Sequence, residues 1–371
     1  MQAWGADLGR RARDRPAAAG IAALLSAVIV VGLGAQSFAA GGPPPAPPAQ
    51  GLLPTTIPLP PIQLPGLPAV QLPPVTLPAL PPLTGSTSGA SPTPAGLSAY
   101  QGLGAWVDLY HYGAAADDPP ASVVRSMAAR GVRNLYIETA RWNSAGALDH
   151  PTELGAFIDA AHGSGIKVVG WYMPGFADIP TDVQRSLAVL TFTSPGGQHF
   201  DGFAADIEDR SATRTQDQFN AGIAAYASAV RQAVGPGVTL GAIVPDAKNN
   251  ERAPAYWAGF PWPQIGDNFD VVQPMAYWSV TKRARTCLSA QMDVTSYMNE
   301  VIDRTDSLMG RSRPIAPMGG VAYCDTQQEV ADYVRTLQAR GAIGGGLYDF
   351  YALEGNPHAA TLWSELTPLN G

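Results

Sequence analysis

The sequence predicts an α/β fold: a single eight-stranded parallel (β/α)8 (TIM) barrel, preceded by a hydrophobic N-terminal segment and a proline-rich linker. Three observations lead to this prediction. Eight short apolar segments alternate with amphipathic helical patterns over about 270 residues, and acidic and aromatic residues recur at the ends of those segments. The sequence has neither a Gly-x-Gly-x-x-Gly motif after its first strand nor a Walker motif, so a doubly wound open sheet is the second choice.

The first forty residues predict export. Residues 1–16 form a basic region with four arginines against two aspartates, and residues 17–40 contain no charged side chain. Their apolar centre, 21–33, has the length of a signal-peptide core, and Ser-Phe-Ala at 37–39 offers a cleavage site. The whole uncharged run is also long enough to span a bilayer. A cleaved signal peptide and an anchor in the cytoplasmic membrane both remain open, and either makes the rest of the chain extracytoplasmic.

Residues 41–98 predict a disordered, proline-rich linker. This segment holds 18 of the 35 prolines in the chain. Proline fixes φ and donates no backbone hydrogen bond, so the segment should be an extended spacer without a core of its own. At about 3 Å per residue it reaches more than roughly 100 Å, enough to carry a domain away from a membrane.

Residues 99–371 carry the barrel pattern. The strand candidates are Ala105–Tyr110, Asn134–Thr139, Lys167–Pro174, Gly202–Glu208, Thr239–Asp246, Val271–Tyr277, Pro314–Val321 and Gly344–Tyr351. Apolar residues at helical spacing lie between most of them, as in Leu154, Phe157, Ile158 and Ala161 after the second strand. The helical pattern is weakest after the fifth strand, near Ala253–Ala258.

Charge and ligand residues exclude two classes of function. The formal net charge is −7 and the first twenty residues contribute +2, which leaves −9 on the remainder. Without a basic stripe, nucleic acid is not expected as a partner. The five histidines are scattered and lack metal-ligand spacing, so neither a metal nor another cofactor is predicted. Cys287 and Cys324 follow the sixth and seventh strands, and export favours a disulfide between them.

The fourth strand carries the central pair of acids. Side chains alternate along a strand, so Gly202, Ala204, Asp206 and Glu208 share one face. Acids in this position form the polar end of a barrel strand, although Asp-x-Glu is also a common way to cap a following helix. We expect Glu208 to act as a general acid with Asp206 beside it.

Other strand ends add polar and aromatic residues. The first two strands supply Asp108, Tyr110 and Glu138, and the others supply Trp171, Tyr172, Asp246, Gln273, Tyr277, Trp278, Tyr348 and Asp349. The C-terminal ends of barrel strands meet at one mouth, so these side chains should gather there. Aromatic rings stack on sugar faces while carboxylates and amides bind hydroxyl groups. The combination indicates a polysaccharide or cell-wall glycan as partner.

Two short segments carry a family resemblance. Asp201–Glu208 resembles the D-x-x-D-x-D-x-E signature of family 18 glycoside hydrolases, the chitinase-like barrels, and Gln273–Trp278 resembles their Met-x-Tyr segment. The resemblance implies Glu208 as proton donor, Asp206 orienting a substrate N-acetyl group, and Tyr277 at its carbonyl. The acetamido oxygen of the substrate then serves as nucleophile. The sequence departs from the signature at Ala204, in the place of the middle Asp, and at Trp278, where an Asp often stands.

A second family offers a competing resemblance. Trp106–Tyr110, followed downstream by Asp206-Ile207-Glu208, is similar to family 25 lysozyme-type muramidases. That likeness keeps Glu208 as acid and adds Asp108 to the catalytic group. Both families imply an exported glycoside hydrolase acting on an N-acetyl-amino-sugar glycan, either peptidoglycan or a chitin-like polymer. A non-catalytic glycan-binding barrel at the cell envelope is the alternative, favoured by Ala204, and unrelated barrel chemistry such as deacetylation or lyase action is a third.

Overall fold

The computed structural model describes residues 55–57, 75–77, 96–112, 118–213, 215–248, 258–279 and 293–371. Eight parallel strands form a closed barrel in which each strand pairs with the next in sequence and the last pairs with the first. The predicted barrel is confirmed, and the doubly wound alternative is excluded because an open sheet has no pairing between its first and last strands.

The strands coincide with the eight predicted segments. They are β1 Gly102–Val107, β2 Asn134–Arg141, β3 Lys167–Met173, β4 Gly202–Asp206, β5 Leu240–Pro245, β6 Val271–Ala276, β7 Met318–Val321 and β8 Gly344–Tyr348. The first strand starts earlier than predicted, because two glycines hide its beginning. Gly104 has to be small, since a Cβ there would lie 2.6 Å from the Tyr136 ring.

Helices surround the barrel. Those in the described residues are α1 Pro120–Ala129, α2 Pro151–Gly163, α3 Ile179–Thr191, α4 Gln216–Val234, α5 Trp262–Asn268, α6 Val294–Met309, α7 Gln327–Ala339, α8 Phe350–Glu354 and α9 Ala359–Leu366. The helix predicted near 253–258 falls almost entirely outside the described residues. The next described helix, α5, starts after Pro261 with a proline in its first turn, a position where the missing N–H costs nothing.

Two apolar cores follow from the alternation of side chains along the strands. Phe203, Ala205 and Ile207 face the helices, whereas Trp106, Tyr136 and Trp171 fill the barrel interior. A 3-10 turn, Gly96–Tyr100, closes the N-terminal end. Its buried Tyr100 donates a hydrogen bond of 2.7 Å to the Phe203 carbonyl oxygen. Apolar side chains and Tyr100 therefore fill the N-terminal end of the barrel, and the polar residues lie at its C-terminal end.

The N-terminal segment that predicts export and most of the proline-rich linker lie outside the described residues, so export and the disorder of the linker remain predictions. Within the proline-rich segment, Thr55–Ile57 pairs antiparallel with Val75–Leu77. In the parts of the chain that the structure describes, no helix combines the length and apolarity needed to cross a bilayer.

Candidate active site

The fourth strand presents its two acids as the alternation predicts. Asp206 is the last residue of β4 and is 5% exposed, while Glu208 lies two residues beyond and is half-buried. Between them, Ile207 is fully buried in the core under the helices. The carboxyl groups of Asp206 and Glu208 consequently both belong to the mouth of the barrel.

Tyr277 connects this pair with acids from other strands. Burial raises the pKa of the Tyr277 hydroxyl well above its usual value, and the charges of Glu208, Asp206, Asp349 and Asp108 raise it further. The Tyr277 ring centroid lies 5.7 Å from that of Tyr348, whose hydroxyl donates to Asp108 Oδ2 at 2.8 Å. Tyr277 is thus linked to acids at the C-terminal ends of β1, β4 and β8.

Asp108 is held in its charged form by three donors. Tyr348 donates from its hydroxyl to Oδ2 at 2.8 Å, and the Tyr110 amide donates to Oδ1 at 2.9 Å. His111 Nδ1 lies 2.9 Å from Oδ1. Burial alone would raise the pKa of Asp108, but the hydrogen bonds and charge of His111, with help from Tyr348, bring it below its usual value. Asp108 therefore supplies a fixed negative charge.

Glu138 is fully buried and binds Arg141. The Arg141 guanidinium donates to both carboxylate oxygens, at 2.6 Å from Nε and 3.1 Å from Nη2, and the Leu109 amide donates at 2.9 Å. Arg141 Nη1 also donates to the Tyr110 hydroxyl at 2.8 Å. Tyr110 is 36% exposed, so the network extends from the barrel interior to the rim. Its effect is to fasten the loop after β1 to the end of β2.

Several carboxyl groups have proton affinities suited to neutral pH. Burial, followed by the charges of Asp209 and Glu138, raises the pKa of Glu208 to about 7. Burial and then the charge of Glu208 raise the pKa of Asp206 well above its usual value. Burial and the charge of Asp108 raise the pKa of Asp349 to about 6. At neutral pH, Glu208 can both hold and release a proton, which is the requirement for a general acid.

The barrel interior has polar atoms whose hydrogen-bonding capacity is unused. Asp206 Oδ1, both amide atoms of Gln273, and the Nε1 atoms of Trp106 and Trp171 are buried without a hydrogen-bond partner among the described residues. Buried polar atoms usually have partners, because an unpaired group loses its interaction with water. These donors and acceptors fit a ligand that has both kinds of group.

Three residues predicted to bind substrate instead face the helices. Tyr172 donates from its hydroxyl to Asp182 Oδ1 at 2.6 Å. Trp278 is fully buried, with its ring centroid 5.2 Å from that of Tyr333 in α7. Asp246 accepts hydrogen bonds from the Tyr297 hydroxyl and the Lys248 amide.

Alternation explains these three corrections. Each of the three directly follows a residue on the barrel-facing side of its strand, namely Trp171, Pro245 or Tyr277. Neighbouring side chains of a strand point to opposite faces, so these three point towards the helices. Trp106, His111 and Arg141 also belong to the site but were missed. Strand parity alone identifies Trp106, which shares a face with Asp108, whereas nothing in the local pattern identifies Arg141.

Ligand atoms of Asp108, His111 and Asp349 lie within 4.8 Å of one another, a spacing that a metal ion could bridge. Each of these residues has a protein contact that accounts for its position. His111 lies against Asp108 and stacks on Tyr351 at 4.3 Å, and Asp349 caps α8 by accepting from the Ala352 amide at 2.8 Å. These contacts explain the cluster without a metal.

Cys324 ends a 3-10 turn, Ala322–Cys324, directly after β7. Cys287 lies outside the described residues. The disulfide between them remains a prediction.

No protein-family model matches the chain, and no curated protein matches it either. Several solved structures, however, are similar to this chain in fold. A family GH18 chitinase from Cycas revoluta in complex with allosamidin aligns with a TM-score of 0.51 and 13% identity, over 72% of this chain and 99% of that one.

Two other solved structures are similar. The spore cortex-lytic enzyme SleL of Bacillus cereus aligns with a TM-score of 0.52 and 10% identity, over 72% of this chain and 74% of its own. An endo-β-1,4-mannanase from Thermotoga petrophila aligns with a TM-score of 0.53 and 11% identity, over 73% and 77%. At such low identity the likeness concerns the fold, and the chain has the (β/α)8 barrel found in these glycoside hydrolases.

Proposed function

We propose that the protein is an exported glycoside hydrolase that cleaves an N-acetyl-amino-sugar glycan, either peptidoglycan or a chitin-like polymer, with Glu208 as general acid. One observation carries the proposal. Glu208 lies beside Asp206 at the mouth of the barrel, with its pKa raised to about 7 by burial and by neighbouring acids. The similar folds of a chitinase and a cortex-lytic enzyme support the same class of substrate.

In the proposed reaction, Glu208 donates its proton to the glycosidic oxygen as the bond to the anomeric carbon breaks. The acetamido oxygen of the substrate attacks that carbon, so the protein supplies no nucleophile. Water then opens the resulting ring, and the Glu208 carboxylate takes the proton from that water. The same residue serves first as acid and then as base, which a pKa near neutrality permits.

Asp206 and Tyr277 are placed to hold the acetamido group. Asp206 Oδ1 is buried and has no partner among the described residues, so it can accept a hydrogen bond from the acetamido N–H. The Tyr277 hydroxyl donates to Met318 Sδ at 3.3 Å. Sulfur is a weak acceptor, and an acetamido oxygen is a better one. Substrate binding would therefore redirect the Tyr277 hydroxyl at little cost.

The direct test is hydrolysis by the full-length protein. Chitin oligosaccharides and purified peptidoglycan are incubated with the protein, and new reducing ends are quantified while binding is measured in parallel. Release of reducing ends supports the proposal.

Binding without release favours a non-catalytic glycan-binding barrel. The observation behind this second candidate is Ala204, which is fully buried on β4 where the family 18 signature has its middle Asp. If the protein neither binds any of these glycans nor releases reducing ends from them, both candidates are contradicted.

The pKa of Glu208 leads to a pH prediction. A general acid must carry its proton, so kcat/KM should fall tenfold per pH unit above about 7, the pKa of Glu208. Below that pH the donor is protonated and this fall is absent. The measurement is a pH–rate profile between pH 4 and 9 on a soluble oligosaccharide. A profile flat through pH 8 would contradict the assignment of Glu208 as donor.

We also propose that Cys287 and Cys324 form a disulfide that holds the loop after β6 against the rim of the site. The chain-entropy model gives about 3–4 kcal/mol for closing a loop of about 37 residues. Reduction should weaken glycan binding at temperatures where the far-ultraviolet circular dichroism of the barrel is unchanged. Thiol quantification in the denatured, unreduced protein is the control, and two reactive thiols would exclude the bond.

The N-terminal pattern of the sequence predicts export, and this prediction has its own test. Cell fractionation separates an uncleaved anchor, found with the cytoplasmic membrane, from a cleaved and secreted form. N-terminal sequencing of the mature protein locates a cleavage site near residues 37–39. Recovery of the intact chain in the cytoplasm would contradict export and leave the proposed chemistry untouched.

A further inference from the structure

The residue that follows the proposed donor has a well-defined structural setting of its own. Asp209 is 5% exposed. Its Oδ2 accepts a hydrogen bond of 2.8 Å from Trp142 Nε1, and its Oδ1 accepts one of 2.7 Å from the Ser211 amide. The Ser211 hydroxyl also donates to Oδ1. The loop that carries Glu208 is thus folded around the Asp209 carboxylate.

Trp142 comes from a different loop, the one after β2, and its own position is fixed. Its backbone amide donates to the Met173 carbonyl oxygen at 2.8 Å. A Cβ on Gly175 would lie 2.8 Å from Trp142 Cβ and 3.0 Å from Ala212 Cβ, so the loops after β2, β3 and β4 meet at this glycine. The indole therefore joins three neighbouring loops of the mouth.

Helix α3 further restrains the loop after β2. The Arg185 guanidinium donates to the Arg141 carbonyl oxygen and, at 2.6 Å, to the Ser144 carbonyl oxygen. These two carbonyl groups flank Trp142 in the chain. The indole N–H is consequently presented to Asp209 from a braced loop, and an ordered donor loses less conformational entropy when it forms its hydrogen bond.

We propose that Trp142 and Asp209 are positioning residues for Glu208: their hydrogen bond fixes the loop after β4 so that the Glu208 carboxyl points into the mouth, and Asp209 places a negative charge near that carboxyl. The inference rests on the proposed function, because it assigns to both residues a role in proton donation by Glu208. Neither residue needs to touch the substrate.

Electrostatics support the second half of the inference. After burial, the charge of Asp209 is among the groups that raise the pKa of Glu208. A nearby negative charge disfavours a second one, so removing the Asp209 charge should make Glu208 release its proton at lower pH. Removing the Trp142 hydrogen bond leaves that charge in place. Substitution of Asp209 should therefore lower the pKa of Glu208, whereas substitution of Trp142 should leave it unchanged.

The test compares three variants of the full-length protein on a glycan that the native protein cleaves. Asp209→Asn keeps an oxygen acceptor for Trp142 but removes the charge, and should move the alkaline limb of kcat/KM by about half a pH unit or more towards acid. Trp142→Phe keeps the aromatic ring but removes the N–H. It should lower kcat about tenfold, with the limb of the pH profile unmoved, because a displaced donor reaches the substrate less often.

Asp303→Asn is the matched control, since it removes a carboxylate from the outer helix α6, where Asp303 is paired with Arg340. It should change neither kcat nor the pH profile. A purely structural role for Asp209 and Trp142 would lower the melting temperature of both variants and leave the pH profile and kcat of the folded protein unchanged. That result would overturn the inference.

A second readout does not depend on hydrolysis. Carbon-13 NMR of protein labelled at the glutamate carboxyl groups gives the pKa of Glu208, with the Glu208→Gln variant identifying its signal. A lower Glu208 pKa in Asp209→Asn supports the inference even if no glycan is cleaved, in which case only the proposed function fails. An unchanged Glu208 pKa contradicts the electrostatic part, whatever the activity.

Discussion

Replacing Glu208 by Gln should reduce glycan hydrolysis by a factor between about 10² and 10⁴, the usual contribution of a general acid. Gln has the size of the protonated carboxyl group but has no proton to donate to the glycosidic oxygen. Glu208 is half-buried, so the barrel should fold as before. Glycan affinity should persist, because the binding groups remain.

Hydrolysis rates and binding constants for the native protein and Glu208→Gln, measured on the same oligosaccharide, provide the check. Glu300→Gln is a matched control, since Glu300 lies on α6 and pairs with Lys248 and Arg304. It should retain full activity. Unchanged hydrolysis by Glu208→Gln would rule out its assignment as the proton donor.

Replacing Asp206 by Asn should lower activity and raise stability together. The variant keeps one oxygen acceptor but adds an N–H₂ group at the acetamido site and can neither take up nor release a proton beside Glu208, so we expect a loss of roughly 10²-fold in kcat/KM. Burial and the charge of Glu208 raise the pKa of Asp206 well above its usual value, which means that the folded state disfavours its ionisation. An amide avoids that cost.

The sign of the stability effect depends on pH. With a raised pKa, the folded protein holds a proton on Asp206 that the unfolded chain has released above about pH 4. Native stability from this group is therefore complete below pH 4 and decreases as pH rises towards the folded pKa. The melting temperature of Asp206→Asn relative to the native protein should increase between pH 4 and 8. A constant difference across that range would contradict the raised pKa.

Much of the barrel could be predicted from the sequence, because its strands are short apolar segments whose side chains alternate between faces with a two-residue period, and because most of its helices have apolar stripes. The same periodicity places Asp206 and Glu208 on one face. Prediction was poorer where this pattern ends. Asp246, Tyr172 and Trp278 were grouped with the site because they lie near strand ends, but each has the strand parity that points towards the helices.

Contacts between loops could not be predicted in this way. Arg141 binds Glu138 and the hydroxyl of Tyr110, and Trp142 binds Asp209. Loop residues have no regular period, and the partners in these contacts come from strands or loops that meet only when the barrel is complete. The sequence therefore contains these residues without showing which of them interact.

The sequence by itself determined that eight strands alternate with helices and that acids lie at the ends of several strands, because both depend on local patterns. Only the tertiary structure decided that the sheet closes, which carboxyl groups have raised pKa values and which loop contacts the loop that carries Glu208. The physical reason is that a carboxyl pKa depends on desolvation and on charges brought near by folding. Closing the barrel unites side chains that are distant in sequence, and their chemistry arises from that proximity.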